Sequence, residues 1–467
     1  MKDSKTLVFI ACILPIAGCT QTRMASRATT AAERTVAEIT PVSDSVDTES
    51  KLVADAGGSI EHTAFRQLIS VDEPAPAVAE TGEVTLDSLE QIALSSNPTL
   101  AELQSRVDAA NGRWLQVGLY PNPVVAYTAP EIGNEGTPGQ QGAYLQQEFV
   151  TANKLKLNRN AATWNVKRAE QELASQQLRV LTDVRQGFYS TRVAQERVKI
   201  AEELHGIAQT AVEKAKELIK LQEPKTVLTQ AEIEAELAAV LVENSRIQRE
   251  AQWRRLAAVI GRPSMPRQFV SAELTAEAPQ VVWEQTLNRI QHESPEVAAA
   301  IAKVEQARWA LQRASVQATP NVTVQAGAAY DYGTRDPIAM LQVSLPIPIY
   351  NRNQGGIAEA HANVVAAEQA VQRVELSLQQ RLAAVYQQYE QARQQASRYD
   401  SVILKKAKEN LDLNRKSYEA GESSYLAVLT AQRSYSQARL AWLNALEQLW
   451  CATVRMEGML LSDSLTN

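Results

Sequence analysis

The sequence predicts a mainly α-helical chain with a small β part, built as one unit written twice. Three observations predict it: two proline-free stretches too long for a compact domain, four alternating segments set between helices, and landmarks recurring at a fixed offset. Residues 155–221 and 354–420 hold 67 residues each without a proline. As helices they run about 100 Å at ~1.5 Å per residue. Pro98 answers Pro295, Val150 answers Ile347 and Tyr189 answers Tyr386, each at an offset of 197, while Tyr120-Pro121-Asn122 answers Thr319-Pro320-Asn321 at 199.

Composition narrows the class. The 467 residues are 45% hydrophobic, 21% charged and only 5% aromatic, which is thin for several globular cores and usual for long helices. After residue 19 no apolar run approaches the ~18–20 residues of a membrane-spanning helix, which excludes a polytopic helical membrane protein. A net charge of −6 with both signs interspersed leaves no footprint for nucleic acid.

Lys2 and Lys5 precede the apolar stretch Leu7–Ala17, so residues 1–18 read as a secretory signal. Its ending, Ile16-Ala17-Gly18-Cys19, resembles the lipobox of bacterial lipoproteins, where the cysteine is acylated (palmitate among the chains) and becomes the first mature residue. Each buried CH2 adds about 0.8 kcal/mol, so several acyl chains hold a protein durably on a bilayer. Thr20, in place of Asp, implies outer-membrane sorting by the same resemblance. Residues 19–83, rich in Thr, Ala, Ser, Glu and Asp with Pro41, Pro74 and Pro76, read as a lipid-anchored flexible linker.

The two repeats, 84–262 and 280–460, share one order: short helix, helix, strand, strand, very long helix, turn, helix. Pro98 and Pro295 suit the first helical turn, where no amide hydrogen is needed. Pro98–Leu119 with Thr226–Ile260, and Pro295–Ala318 with Ser424–Gly458, would stack end to end beside each long helix. Along the second long helix Ile357, Ala360, Val364, Ala367, Val371, Val374 and Leu378 alternate spacings of 3 and 4. After one extra residue the seam resumes at Leu382, Val385, Tyr389, Ala392, Ala396, Tyr399 and Ile403. This is a coiled-coil heptad with a stutter.

The strands fall at 121–128, 141–150, 320–330 and 338–347. Apolar–polar alternation over tilted strands of ~9–11 residues fits a membrane barrel. Tyr120, Tyr127, Tyr144, Phe149, Tyr330, Tyr332 and Tyr350 are expected near the strand ends as an interfacial girdle. Four strands cannot close, so closure demands an oligomer. Three chains supply 12 strands and a nearly sixfold ring; strand number alone also fits dimers with 8 or tetramers with 16.

No site for chemistry stands out. Cys12, Cys19 and Cys451 form no metal pair, and His62, His205, His292 and His361 are scattered singly. No nucleophile elbow or phosphate loop is present, so neither an enzyme nor a cofactor or metal is expected. Trp114, Trp164, Trp253, Trp309, Trp442 and Trp450 read as helix-packing anchors.

Over roughly residues 84–460 the chain resembles the TolC-like outer-membrane efflux proteins of lipoprotein type. The resemblance rests on Ser95-Ser96-Asn97-Pro98, on Tyr120-Pro121-Asn122-Pro123, and on Val343-Ser344-Leu345-Pro346-Ile347-Pro348-Ile349-Tyr350. It rests too on Tyr418-Glu419-Ala420-Gly421-Glu422-Ser423-Ser424 leading into Val428-Leu429-Thr430-Ala431-Gln432. It implies a homotrimer: a 12-stranded barrel in outer-membrane lipid, continued by a periplasmic helical tunnel whose tip meets a periplasmic adaptor fed by an inner-membrane pump. Glu148-Phe149-Val150-Thr151-Ala152-Asn153-Lys154 resembles the strand exit of the metal-cation branch.

The same resemblance assigns adaptor docking to two tips: Leu221, Gln222, Glu223, Pro224, Lys225 and Thr226, and Glu419, Ala420, Gly421, Glu422, Ser423 and Ser424. Gly421 suits a left-handed helix end, and Pro224 stops the other helix. At the entrance Tyr418 matches the tyrosine of the family's Tyr–Arg–Asp latch, but its partner positions read Ser423 and Val227, and the acidic ring positions read Ala427 and Thr430. A closed state here would rest on coiled-coil packing, with weak cation selectivity at the tip.

The expected function is a passive outer-membrane exit duct. A periplasmic adaptor, which carries one helical hairpin in a lipoyl-like β-domain, is disfavoured by two hairpins each with a strand pair. A lipid-anchored structural coiled coil is disfavoured by the alternating strands.

Overall fold

Asn97 and Ser294 each hand the chain from a short helix to a longer one. In the computed structural model, α1 (Leu86–Ser96) passes through Asn97 into α2 (Pro98–Gln116), and α5 (Trp283–Glu293) through Ser294 into α6 (Pro295–Ser315). The Asn97 Oδ1 accepts from Thr99 N at 2.9 Å, while its Nδ2 donates to Val259 O at 2.7 Å. One side chain thus caps α2 and ties it to the end of another helix. The structure describes residues 83–220, 225–271, 274–276 and 278–466. The chain divides into Met1–Val71 and Asp72–Asn467, and every described residue lies in the second unit. The signal, Cys19 and nearly all of the 19–83 linker lie outside the described residues.

The predicted order appears twice. After α2 come β2 (Val124–Thr128), β3 (Gln140–Phe149), α3 (Lys154–Lys220) and α4 (Lys225–Ile260). After α6 come β5 (Val322–Asp331), β6 (Asp336–Ser344), α7 (Gln354–Arg398), α8 (Leu404–Glu419) and α9 (Tyr425–Glu457). The first long helix runs unbroken for 67 residues. The second does not: a π-helical turn, Tyr399–Ile403, separates α7 from α8. The helix passes straight through the stutter, since Leu378 and Leu382 are both fully buried. The break falls where the seam loses its cover: Ala396 is fully buried, whereas Ile403 is exposed. A π turn absorbs an extra residue where packing no longer dictates register.

The strands shift by one to three residues from expectation, β3 and β5 to Gln140–Phe149 and Val322–Asp331, and the prolines account for two of the shifts. Strand β2 begins at Val124 rather than 121, because Pro121 and Pro123 have no amide hydrogen for a ladder. Strand β6 ends at Ser344, ahead of Pro346 and Pro348. The order β2-β3-β5-β6 is antiparallel throughout, with Gln146 opposite Gln325 and Gln325 opposite Gln342. A second, unforeseen sheet pairs β1 (Glu83–Val84) in parallel with β4 (Phe269–Val270). Two-residue strands carry no readable alternation.

Each repeat has its own core. The first gathers Leu89, Ile92, Val180, Phe188, Trp253, Leu256 and Ile260; the second gathers Ile290, Leu378, Leu382, Tyr389, Leu446, Leu449 and Met456. Gly261 closes α4 at φ +85°, and a Cβ there would stand 2.4 Å from the Ser96 carbonyl oxygen. That close approach lets α4 meet α1 and α2 end on. Tyr189 and Trp450 stack at 5.0 Å, and the Tyr389 hydroxyl donates to Pro279 O at 2.7 Å. Beyond α9 the tail crosses α3, where Asp183 accepts from the Asp463 and Ser464 amides at 3.0 and 2.6 Å.

Candidate functional site

The four-stranded sheet has two chemically different faces. Its register puts Tyr144, Gln146 and Glu148 on one face with Thr323, Gln325, Gln342 and Ser344. The other face carries Val125, Tyr127, Leu145, Phe149, Leu341 and Val343. On this face Val125 and Leu341 are each 76% accessible and Val343 58%; on the other, Gln342, Ser344 and Val124 (opposite Gln146) are exposed as well. Tyr144, Gln146, Glu148, Thr323 and Gln325 are half-buried. One face richer in polar groups and one richer in apolar groups is the pattern of a barrel wall between water and lipid.

Most of the expected girdle follows. Tyr120, Tyr127, Phe149, Tyr330, Tyr332 and Tyr350 are exposed near strand ends. Tyr144 departs from it: it lies mid-strand on the polar face, opposite Gly327. A Cβ at Gly327 would lie 2.7 Å from the Tyr144 Cβ, so the glycine makes room for the ring.

At the foot of the sheet the strands are locked to the helices. Lys154, at the start of α3 and buried, donates to Thr319 O and to Asn321 Oδ1 at 2.8 Å. Asn321 Nδ2 in turn donates to Glu148 Oε1 at 2.7 Å. Ala152 and Asn153, at φ 55° and 54°, make the turn from strand to helix.

The helical tip lies between α8 and α9. Gly421 adopts φ +76°, and the amides of Gly421 and Glu422 donate to Tyr418 O at 3.0 Å and Ser417 O at 2.8 Å. These are the paired bonds of a glycine-terminated helix. The Tyr418 and Tyr425 rings meet at 5.1 Å over a small core of Leu411, Val428 and Ala431. Burial, with Tyr418 beside it, pushes the Tyr425 phenol above its usual value. Tyr418 therefore packs on an aromatic ring. Ser423 is half-buried and its hydroxyl has no hydrogen-bond partner among the described residues. Val227 and Ala427 are half-buried; exposed Thr430 turns its hydroxyl back to Leu426 O at 2.9 Å. Glu419, Ala420, Glu422 and Ser424 are exposed, as are Lys225 and Thr226 at the start of α4. Leu221, Gln222, Glu223 and Pro224 lie outside the described residues.

Two features escaped the sequence. Arg433 of α9 reaches Glu234 of α4 at 3.4 Å, across a groove of about 340 Å³ lined by Leu204, Leu237, Leu241, Leu429 and Leu440. Glu296 binds arginines from two helices, Arg179 of α3 and Arg381 of α7. Neither pairing has a sequence signature, since each joins distant helices. Among the described residues no three His, Cys, Asp or Glu side chains converge as a metal ion requires. No helix among them is long and apolar enough to cross a membrane.

Comparison with known proteins places this architecture. A family model described as "Outer membrane efflux protein" matches residues 89–262 and 286–460. The cobalt-zinc-cadmium resistance protein CzcC of Cupriavidus metallidurans is 28% identical over 386 residues, spanning 81% of this chain and 90% of that protein. Among solved structures, VceC of Vibrio cholerae aligns at a TM-score of 0.66 and 17% identity, over 80% of this chain and 95% of that one. The open state of MtrE of Neisseria gonorrhoeae aligns at a TM-score of 0.67 and 18% identity, over 81% and 89%. At such identities the structural likeness is one of fold.

Proposed function

The chain belongs to the outer membrane efflux protein family and acts as an outer-membrane exit duct of an efflux system; on that premise we propose how the duct is assembled and what it joins. Three copies close one barrel. What supports this is the open sheet itself: β2 and β6 are its unpaired edges and run in opposite senses, so β6 of one copy and β2 of the next continue the antiparallel ladder. Three four-stranded sheets leave no edge to water or lipid. The polar face lines the water path and the apolar face meets lipid. The single observation that carries the reading is this two-faced sheet with two free edges.

The rest of the assembly follows the family resemblance. Residues 84–262 and 280–460 form the two repeats of each protomer, and their helices form a periplasmic tunnel. The tips at Leu221–Thr226 and Glu419–Ser424 dock a periplasmic adaptor that an inner-membrane pump feeds. Residues 1–18 are a signal peptide, Cys19 is acylated, and the 19–83 linker tethers the duct to the membrane. The duct is passive: the pump supplies the energy, and nothing in the chain needs to react. Without a charged latch at Tyr418, Ser423 and Val227, its closed state rests on helix packing. The relationship to CzcC supports divalent metal cations as the cargo.

The test is assembly and export together. Cross-linked, membrane-extracted protein should run as a trimer. Cells lacking the chain should become more sensitive to cobalt, zinc or cadmium and recover when it is restored. A dimer or tetramer would overturn the three-copy barrel, and unchanged metal tolerance would overturn the cargo.

A further inference from the structure

Where the two repeats meet, α2 and α3 of the first and α6 and α7 of the second line a cavity of about 670 Å³, together with Ser464 of the tail. Small-molecule sites usually measure ~300–1,000 Å³. The charges here do not cancel. Arg106, Arg179, Arg373 and Arg381 line the cavity against Glu102, Glu172 and Glu296. These carboxylates are already engaged: Glu102 by Arg106 at 2.6 Å, Glu172 by Arg168 at 2.9 Å, and Glu296 by Arg179 and Arg381 together. With Arg168 included, five guanidiniums stand against three carboxylates. Arg373 is the one left over: it is exposed, with neither an ion pair nor a hydrogen bond among the described residues.

Two further donors in the cavity are unspent. Arg381 sends its terminal nitrogens to Glu296 and to Leu460 O, the latter at 3.4 Å, while its Nε is buried without a partner. Ser464 is 1% exposed; its amide donates to Asp183 Oδ2 at 2.6 Å and its carbonyl accepts from Gln176 Nε2 at 2.7 Å. The backbone is pinned on both sides, yet the Ser464 hydroxyl has no partner among the described residues. A buried donor left unpaired is costly, and each of these calls for an acceptor that the chain does not supply.

We propose that this cavity binds a small oxyanion, a phosphate or carboxylate group, through Arg373, the Arg381 Nε and the Ser464 hydroxyl. A guanidinium presents its donors in a fork that matches two oxygens of such a group, and the hydroxyl adds a neutral donor. Water alone satisfies donors but leaves the surplus charge, and a cation is repelled by it. Every residue of the site belongs to one protomer, so the site stands apart from the three-copy barrel and its cargo. Its donors come from α7 and from the tail that crosses α3, so the bound anion ties the second repeat to the first.

The experiment is equilibrium dialysis of the detergent-extracted, full-length protein against radiolabelled inorganic phosphate, in a chloride buffer of fixed ionic strength. The wild type should bind phosphate saturably, one per protomer. Arg373→Gln should weaken binding about tenfold or more, Arg373→Lys by less, and Ser464→Ala about threefold. Since Arg373 is exposed and unpaired, its variants should keep the wild-type thermal midpoint without phosphate and lose only the rise that phosphate gives. Glycerol 3-phosphate as competitor separates the sources. Displacement at lower concentration than inorganic phosphate assigns the site to a lipid headgroup; displacement at equal or higher concentration assigns it to the free ion. Absence of saturable binding leaves water as the occupant and overturns the site. Binding that Arg373→Gln and Ser464→Ala both leave unchanged overturns it too.

Discussion

Arg179 of α3 donates to Glu296 of α6 at 2.9 Å, and the second carboxylate oxygen of Glu296 holds Arg381 of α7. Three helices are thus clamped through one side chain that is about four-fifths buried. Removing a partly buried carboxylate leaves two guanidiniums without their anion. Glu296→Gln should destabilise the protomer by about 2 kcal/mol, read as a lower thermal midpoint of the extracted assembly. A cycle with Arg179→Gln should show strong non-additivity; additive losses would mean that the pair is not coupled.

The two faces of the sheet make opposite demands on a lysine. Leu341→Lys sets a charge on the lipid side, at a cost of about 2–4 kcal/mol near the bilayer midplane, and should lower the yield of membrane-inserted protein. Gln342→Lys, one residue on and facing the other way, should insert normally. Equal yields would show that the faces are assigned wrongly.

Gly421 can be probed for shape and for docking separately. Gly421→Asn tolerates the left-handed conformation and should preserve export. Gly421→Glu or Thr226→Glu adds charge at an exposed tip and should impair export at unchanged protein level. Export unaffected by both would place the adaptor elsewhere.

Cys451 packs against Ser190 at 3.8 Å, and burial pushes its thiol up to about 11. Thiolate is the reactive form, so the raised value keeps the group protonated across neutral pH. Maleimide labelling of folded protein at pH 7 should be far slower than that of unfolded protein, and should quicken only as pH climbs toward 11. Rapid labelling at pH 7 in the folded state would contradict the burial.

Cys19→Ala should abolish incorporation of labelled palmitate and leave a trimer able to assemble. An unlabelled wild type would remove the anchor.

Much of the fold was written in period and punctuation. Pro98 and Pro295 mark helix starts because proline sacrifices nothing there, and Gly421 marks a helix end because it alone bears a positive φ without strain. The long helices and the alternating strands were legible because burial repeats with the period of the backbone. What depends on one element meeting another was not legible. Leu378 and Leu382 carry the visible stutter, yet the helix breaks at Tyr399–Ile403, because a register change settles where side chains lose their cover. Tyr144 reads as a girdle residue until its cross-strand partner proves to be Gly327 on the polar face.

The class of molecule can be read from local pattern: duplicated helices too long for a globule, and strand pairs with one apolar and one polar face. The pairings emerge only in the folded chain: Arg179 with Glu296, Arg433 with Glu234, and three glutamines aligned in one row. The difference is one of range. Periodicity is a local property of one segment, whereas register and ion pairing are relations between segments, many of them distant in the chain, which become definite only when the ladders and helix contacts form together.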